Sequence, residues 1–308
     1  MCKFVEGMSY QTFHDTLNLN RKYLEKYDFV CAMLDKVSHG TPLTFEEECK
    51  LVSCVCVSEL TGKLLGNYGV STSPFLNPIC SKRAMDIKSI CHECYARKLI
   101  YDEQALALEI NFLIMNNFDI SKEAWETLPF PTLWGVDRIE AHGDTASVKC
   151  SENYVKIMDT HEWISFGVWT KNVGFWGLAF DKLGKPKNCQ FIVSSPYLNT
   201  VVKAAPRFEK YVDKIFTVYD KDFVIKNNIT INCGSYVNII QINHTCNKCG
   251  WKCYKMNNVK YVNELLKGDE IKLFNSKGDV NKKAITYAKK NGFIDKIEAI
   301  LKAMGKGI

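Results

Sequence analysis

The 308-residue sequence lacks several features that define large classes of proteins. It contains no apolar run near the ~20 residues that a membrane-spanning helix needs. The opening stretch MCKFVEGMSYQTFHD has no apolar core of a secretory signal. These absences predict a cytoplasmic protein with no membrane partner. The motifs GxSxG, GxxxxGK[ST] and GxGxxG are also missing, so nothing indicates a nucleophilic serine or a glycine-rich phosphate loop.

Cysteine, by contrast, is abundant, with 14 residues. Disulfides are rare in a reducing compartment, so clustered cysteines indicate metal ligands and isolated ones indicate small buried residues. Cys150 and Cys189 are isolated and are predicted to pack in the core. A C-x2-C pair lets two thiolates converge on one ion from a tight turn. Two clusters contain such a pair, and all six of their members are predicted metal ligands: Cys80, Cys91, Cys94, Cys246, Cys249 and Cys253.

The identity of the metal stays open between an iron–sulfur cluster and zinc. A structural zinc ion takes four ligands. Zinc would therefore bind four of the six thiolates, or recruit His92, His244 or Cys233 beside a triplet. Three thiolates instead suit a [4Fe–4S] cluster that leaves one iron open to another ligand. We favour one or two [4Fe–4S] clusters, with zinc as the alternative.

The chain divides into three regions by pattern. Residues 1–66 are predicted to be helical, because Thr44 and Glu47 form a capping box at the start of the helical pattern TFEEECKLVSCVCVSEL. Residues 67–257 form a cysteine-rich α/β core. Residues 258–308 carry 11 Lys against 6 Asp and Glu and are predicted to form a basic helical tail.

The core pattern predicts βα units and a parallel sheet. Four strands are visible in DRIEAHGD, WISFGVWTKN, CQFIVSSP and KIFTVYD, and FVIK and ITIN are further candidates. Before them, YARKLIYDEQALALEINFLIMNN predicts one long helix. Too few strands are present for a closed eight-stranded barrel. We therefore predict an α/β fold with a partial parallel (β/α) barrel or an open parallel sheet, extended by helices at both ends.

Polar residues follow each of these predicted strands. In parallel α/β folds the functional groups gather where the carboxyl ends of the strands meet. We therefore expect one shared site, lined by Arg138, Glu140, His142, Asp144, Lys171 and Ser195. The first five of these residues are predicted to bind a cofactor.

The order of four motifs, STSPFLNPICSKRAMDIKSICHECYA, RIEAHGD, WTKN and CNKCGWKCY, resembles a family of phage and plasmid proteins known as gene product eighty-eight. Members share a cysteine segment ending in C-Y-A, an R-x4-G-D strand end, a T-K strand end and a distal C-x2-C-G motif. The resemblance covers roughly residues 66–255. It implies a mobile-element protein whose ligands are the six clustered cysteines, and it matches five strand-end residues: Arg138, Gly143, Asp144, Thr170 and Lys171.

The core is also distantly similar to radical S-adenosylmethionine enzymes, which carry three cysteines after the first strand of a partial barrel. Cys91-x2-Cys94-Tyr95 matches the end of their C-x3-C-x2-C motif. Cys80 lies ten residues before that pair, which resembles the wider loop of the Elongator-type variant. The similarity implies a [4Fe–4S] cluster at this triplet and an auxiliary cluster at the distal one.

The same similarity implies S-adenosylmethionine as a cofactor. Its amino group would be held by Glu140 or Asp144, and its carboxylate by Lys171 or Arg138, through charge-assisted hydrogen bonds. These assignments rest on position along the strands and not on a matched motif.

Two other functions stay open. A non-radical iron–sulfur protein could associate with nucleic acid through the basic tail, with stacking on the aromatic rings of Trp163, Trp169, Phe175 and Trp176. A zinc-stabilised binding module without catalysis is the remaining hypothesis.

Overall fold

The computed structural model describes residues 21–100, 102–131, 135–242, 246, 249 and 253–306. Over these residues the chain is a mixed α/β protein built around a seven-stranded sheet. The strands of this sheet are β1 (Ser58–Glu59), β2 (Tyr68–Val70), β3 (Gly135–Ile139), β4 (Ile164–Thr170), β5 (Cys189–Ser194), β6 (Lys214–Tyr219) and β9 (Tyr261–Leu265). A separate small sheet contains β7 (Tyr236–Val237), β8 (Ile240–Gln241) and β10 (Ile271–Lys272).

Helices occupy most of the connections between the strands. They are α1 (Arg21–Ser38), α2 (Phe45–Cys54), α3 (Pro78–Met85), α4 (Tyr95–Leu99), α5 (Asp102–Asn117), α6 (Lys122–Trp125), α7 (Val148–Thr160), α8 (Val173–Leu183), α9 (Pro206–Glu209), α10 (Lys221–Asn227), α11 (Lys282–Lys290) and α12 (Ile294–Ala303). Across the described ranges, no helix has both the length and the apolar character needed to cross a membrane.

The strands lie in the order β1-β2-β3-β4-β5-β6-β9. β1 pairs with β2 in antiparallel fashion, and every other neighbouring pair is parallel. The predicted α/β class with a parallel sheet is therefore confirmed. Parallel crossovers are almost always right-handed, so strands that follow chain order place their helices on one face. Ile139, Phe166 and Phe191 are fully buried in the core cluster that also contains Tyr154 and Trp176 from α7 and α8.

The N-terminal helical prediction is right in part. The capping box is present, because Thr44 caps α2 and Glu47 bonds back to the Thr44 N–H. The helix ends at Cys54, and not near Leu60 as predicted. After Cys54 the chain leaves the helix, the Cys56 N–H donates to Asn111 Oδ1 at 2.8 Å, and the chain then enters β1. Residues 1–20 of the predicted segment lie outside the described residues.

Two further predictions of local structure were wrong. The single long helix after Cys94 is two helices, α4 and α5, because Ile100 adopts an extended backbone and is buried in a cluster with Phe75. The candidate strand FVIK lies within α10, where Asp220 caps the helix through the Phe223 N–H. The candidate strand ITIN forms no strand.

The predicted basic helical tail over 258–308 is helical only from α11 onward. Its first part, β9, is instead the last strand of the large sheet, because Val262 and Leu265 bury their side chains against it. α11 and α12 then pack through apolar faces onto the small sheet. The buried residues of this second core are Ile240, Ile242, Leu273, Ala284, Ala288, Ile297 and Leu301.

The two edges of the seven-stranded sheet contact each other through side chains. Lys63 lies in a 3-10 helix (Gly62–Leu64) between β1 and β2, and its amine forms an ion pair with Glu264 on β9. Six parallel strands spaced about 4.8 Å apart would separate β2 from β9 by about 24 Å in a flat sheet. Two side chains cannot bridge that distance, so the sheet is strongly curved.

Candidate metal centre

The first three predicted ligands all lie in the connection from β2 to β3. Asn77 begins α3 by accepting hydrogen bonds at Oδ1 from the N–H groups of Ile79 (2.9 Å) and Cys80 (3.3 Å). Pro78 occupies the first turn, where its missing N–H has no cost. Cys80 therefore lies in the first turn of α3. Burial, and then the charges of Asp144 and Glu140, raise the pKa of its thiol.

Cys91 and Cys94 lie in a tight turn. The Cys94 N–H donates to the Cys91 carbonyl at 3.2 Å, and the Cys91 N–H donates to Ser89 Oγ at 3.1 Å. This turn is fastened to the end of β5, because the Ile90 N–H (2.9 Å) and Ser89 Oγ (3.1 Å) both donate to the carbonyl of Pro196. Both thiols are half-buried.

Tyr95, directly after Cys94, connects the same segment to two more strand ends. Its hydroxyl donates to the Ala141 carbonyl, just after β3, at 2.6 Å. Its ring lies 6.0 Å from that of His142, and the amine of Lys267, just after β9, lies 4.9 Å from its centroid. We call the residues that follow β2 to β6 and β9 the carboxyl edge, and the cysteine segment lies across it.

Asp144 holds several parts of the carboxyl edge together. Its carboxylate accepts from Thr170 Oγ1 (2.6 Å), the Lys171 N–H (3.0 Å) and Arg83 Nη1 (3.1 Å). Arg83 Nη2 also donates to the Lys171 carbonyl at 3.0 Å and to Asn172 Oδ1 at 2.7 Å. Both carboxylate oxygens of Asp144, a predicted cofactor residue, therefore accept hydrogen bonds that join α3 to the ends of β3 and β4. Its contact with a cofactor stays a prediction.

Glu140 is buried beside it in a backbone conformation that is rare for a side chain of its size, with φ at 57°. Its carboxyl group accepts from the Thr72 N–H (3.0 Å), Thr72 Oγ1 (2.8 Å) and the Tyr154 hydroxyl (2.9 Å). Burial raises the pKa of Glu140 to about 8. The carboxyl group is therefore largely protonated at neutral pH and can carry a proton at the carboxyl edge.

Arg138 and His142 lie close together. The guanidinium of Arg138 stacks 4.8 Å from the Trp169 ring and interacts with Tyr254. Burial and the positive charge of Arg138 lower the pKa of His142 to about 4, so this imidazole is neutral. Its Nδ1 is buried without a hydrogen-bond partner among the described residues. Arg138 pairs with Gly167, and Gly167 pairs with Gln190, so the three residues lie on one face of the sheet. This face is opposite the one that packs against the helices.

The side chains of Ser195 and Lys171 differ in their hydrogen bonding. Ser195 Oγ donates to the Tyr197 carbonyl at 2.9 Å and also accepts from the Tyr197 N–H, so it shapes its own loop. Within the described residues, no hydrogen bond or ion pair of the Lys171 amine is present, and its charge acts on the nearby Cys80. Lys171 is consequently the predicted cofactor residue whose charge is available to an anion.

The distal cysteines contact the connection between β1 and β2. The Cys249 N–H donates to the Cys246 carbonyl at 3.1 Å, and the Cys246 N–H donates to the Lys63 carbonyl at 2.8 Å. Burial, and then the neighbouring thiols of Cys233, Cys246 and Cys249, raise the pKa of Cys253. Of the histidines considered as ligands, His92 bonds to the Ala84 carbonyl and His244 lies outside the described residues.

The donor chemistry of both sets suits a thiophilic metal, since thiolates are the preferred ligands of zinc and of iron–sulfur clusters. Among the residues with described positions, no three Cys, His, Asp or Glu side chains are arranged to hold a metal ion. A bound metal would have to draw the thiols together and deprotonate them, as metal binding generally does. The six ligands therefore stay a prediction.

Comparison with known proteins adds no identity. The chain matches no protein-family model, no curated protein and no solved structure.

Sequence reasoning missed Arg83 and Thr72, which hold Asp144 and Glu140 in place. The signal for Arg83 was present, because Asn77-Pro78 is a helix start and residues three apart on a helix share a face. On that basis Arg83 falls on the same face as Cys80. Thr72 carried no comparable signal, since its partner Glu140 lies 68 residues away.

Proposed function

We propose that this chain is an iron–sulfur protein of the radical S-adenosylmethionine type, with a [4Fe–4S] cluster bound by Cys80, Cys91 and Cys94. One observation carries the proposal: all three cysteines lie in the connection that leaves the first parallel strand, β2, at the carboxyl edge. Hydrogen bonds from Arg83 and Tyr95 tie that connection to the end of β3. This is the position that the similarity to such enzymes implies.

A partial (β/α) barrel is the architecture that this function requires. Six parallel strands in chain order support it, together with the ion pair between Lys63 and Glu264 and the contact between Lys267 and Tyr95. The first contact joins the connection before β2 to β9, and the second joins the connection after β2 to the residues that follow β9. The concave face of the curved sheet is then the one that carries Arg138, Gln190 and other buried polar groups.

A [4Fe–4S] cluster held by Cys80, Cys91 and Cys94 would supply the electron for reductive cleavage of S-adenosylmethionine. The chain itself binds and orients the cofactor. Lys171 holds the cofactor's carboxylate, because its amine is unengaged among the described residues and lies near Cys80. Arg138 is the less suitable partner, since Trp169 and Tyr254 already surround its guanidinium.

The amino group of the cofactor is assigned to Glu140 or Asp144. The Asp144 carboxylate already accepts four hydrogen bonds from its neighbours, whereas Glu140 is largely protonated at neutral pH. A cofactor ammonium beside Glu140 would favour the ionised carboxylate and release its proton. His142 is neutral, because its pKa is lowered to about 4, and it adds a polar group near Arg138 without adding charge.

The test is anaerobic purification followed by iron and sulfide analysis, and then reduction in the presence of S-adenosylmethionine. We expect about four iron atoms for each cluster and the formation of 5′-deoxyadenosine, measured by mass spectrometry. Cys80→Ser, Cys91→Ser and Cys94→Ser should each abolish the product. Cys31→Ser, on α1 and half-buried, is the matched control that should keep it.

A colourless protein with no iron after anaerobic purification would exclude the cluster. If the protein contains iron but forms no 5′-deoxyadenosine upon reduction, the radical function is excluded and a non-radical iron–sulfur protein is supported. A second, distal cluster at Cys246, Cys249 and Cys253 would raise the iron content in proportion.

The alternative function is that of an iron–sulfur or zinc-stabilised protein that associates with nucleic acid. The favouring observation is that α11 and α12 bury their apolar faces while Lys282, Lys283, Lys289 and Lys290 are exposed. The aromatic rings give less support, because Trp176 is fully buried and Trp169 packs on Phe216. Salt-dependent gel shifts test this alternative, and no binding at low salt would remove it. The phage or plasmid origin and the cytoplasmic location remain predictions.

A further inference from the structure

We propose that Cys233 joins Cys246, Cys249 and Cys253 in a four-thiolate site for a single zinc ion, which fastens the two edges of the curved sheet to each other. This site is separate from the cluster proposed at Cys80, Cys91 and Cys94 and does not depend on it.

Cys233 is held at this place by backbone contacts with the last strand. Its N–H donates to the Asn263 carbonyl on β9 at 3.1 Å, and its carbonyl accepts from the Tyr236 N–H at 3.0 Å. The next residue, Gly234, lies directly against Cys249. A Cβ at Gly234 would lie 2.2 Å from the Cys249 Cβ and 3.3 Å from its Sγ. The segment carrying Cys233 and the distal C-x2-C turn are therefore in contact.

Lys63 connects this pair of segments to the opposite edge of the sheet. Its carbonyl accepts from the Cys246 N–H at 2.8 Å, and its amine lies 4.0 Å from Cys233 Sγ while pairing with Glu264. Four thiolates around one divalent cation carry a net charge of minus two. A lysine amine beside one sulfur offsets part of that charge, as outer-shell partners of metal ligands commonly do.

A single zinc ion fits this location better than an iron–sulfur cluster. Four thiolates form a closed tetrahedral set with Zn–S distances of about 2.3 Å, which is typical of structural zinc. The direct contact between Gly234 and Cys249 leaves little width between the two segments that carry the thiols. A four-iron cluster would have to force them apart.

A zinc ion at this site would cross-link two distant parts of the fold. Cys233 is hydrogen-bonded to β9, and Cys246 is hydrogen-bonded to the connection between β1 and β2. Zinc shared by these thiols would hold the curved sheet closed, in addition to the ion pair of Lys63 and Glu264. The same ion would position Tyr254, which follows Cys253 and lies over Gly167.

The experiment uses the full-length protein and measures bound zinc by mass spectrometry and zinc affinity by competition with a chromophoric chelator. We expect one zinc per chain in the wild type and in Cys80→Ser. Cys233→Ser should weaken zinc by more than the roughly 100-fold typical of an outer-shell change. Gly234→Ala keeps every thiol but pushes Cys249 away, and should weaken zinc about 10- to 100-fold.

Two controls match these variants. Cys31→Ser removes a half-buried thiol on α1, and Gly174→Ala adds a methyl group where nothing lies within 4 Å; both should bind zinc like the wild type. Cobalt(II) serves as a spectroscopic probe of the wild type, since four thiolates give a stronger charge-transfer band than three, and this readout holds even if Cys233→Ser does not fold.

Wild-type zinc affinity in Cys233→Ser, or a cobalt spectrum of the wild type that indicates fewer than four thiolates, would overturn the proposal. Iron in place of zinc in Cys80→Ser would overturn it as well. Loss of iron from Cys80→Ser with zinc retained supports both sites, whereas zinc without iron in the wild type supports this site and contradicts the proposed function.

Discussion

Arg83 and Asp144 form an ion pair that joins the cysteine-bearing helix α3 to the end of the sheet. Arg83 Nη1 lies 3.1 Å from Asp144 Oδ2, and the side chains are only 20% and 4% exposed. Because the same guanidinium reaches the Lys171 carbonyl and the same carboxylate accepts from Thr170 Oγ1, the pair ties together α3, β3 and β4. The position of Cys80 relative to the strands thus depends on a contact between residues 61 positions apart.

Replacing Arg83 by Met should destabilise the fold strongly. The substitution keeps the apolar stem but leaves the buried Asp144 carboxylate without its cation, at a cost of about 3 kcal/mol. The double variant Arg83→Met/Asp144→Asn should recover part of that loss, because the uncompensated charge is gone. Urea unfolding measures both. Arg207→Met, which breaks an exposed pair with Asp181, is the control, and an equal loss in that variant would contradict the role of burial.

Replacing Lys171 by Met should weaken the binding of S-adenosylmethionine without changing the iron content. A lost charge-assisted hydrogen bond of about 1.5–3 kcal/mol corresponds to at least tenfold weaker binding. Equilibrium binding to the reconstituted protein measures the effect. Lys187→Met, on an exposed loop, should bind like the wild type. Unchanged affinity in Lys171→Met would remove this lysine from the cofactor site.

Replacing Glu109 by Gln should flatten the dependence of stability on pH. The Glu109 carboxyl group is fully buried with no partner among the described residues, and burial raises its pKa to about 8. The folded state therefore binds a proton that the unfolded state releases above pH about 4.5. This contribution to the free energy of unfolding is fully present below that pH and is lost as the pH rises to about 8.

Between pH 4.5 and pH 7, the ionisation of Glu109 in the unfolded state lowers the free energy of unfolding by about 3 kcal/mol. Chemical denaturation of the wild type and Glu109→Gln at several pH values between 5 and 8.5 measures the difference in slope. Glu103→Gln is the control, since Glu103 is an exposed residue of the same helix. Parallel pH profiles for wild type and Glu109→Gln would show that this carboxyl group ionises normally in the fold.

Replacing Gly167 by Ala should displace Tyr254 from the sheet. A Cβ at Gly167 would lie 2.2 Å from two carbon atoms of the Tyr254 ring, and such overpacking costs about 1–3 kcal/mol. Gly174→Ala on α8, where the added methyl group meets nothing within 4 Å, should be neutral or stabilising by up to about 1 kcal/mol. Thermal unfolding compares the two, and equal stability would mean that Tyr254 moves aside freely.

The sequence alone was sufficient for the strands that carry strong local patterns. Most positions of β4 are buried, as its apolar sequence predicts. The polar residues after β3 and β4 lie together, since Asp144 accepts from Thr170 Oγ1 and the Lys171 N–H. Cys150 and Cys189 were correctly expected in the core, because a free cysteine packs as a small apolar residue. These features depend on residues that are close together in the chain, so local sequence patterns are enough to predict them.

β2 and β9 were missed because each is short and gains its stability from strands far away in the chain. The pairing of Gly69 with Arg138 and of Val262 with Phe216 has no local signature. The same reason hides the partners of the carboxyl edge. Thr72 and Tyr154 both reach Glu140, and nothing in their own surroundings indicates that they would.

The sequence by itself therefore determined the parallel α/β class, the capped helices and the supply of thiols, since each follows from spacing and composition within short windows. Only the tertiary structure decided which charged residues are already engaged. It pairs Asp144 with Arg83, raises the pKa of Glu140 by burial, and places Gly234 against Cys249, because burial and charge are set by whichever distant segments the folded chain brings together.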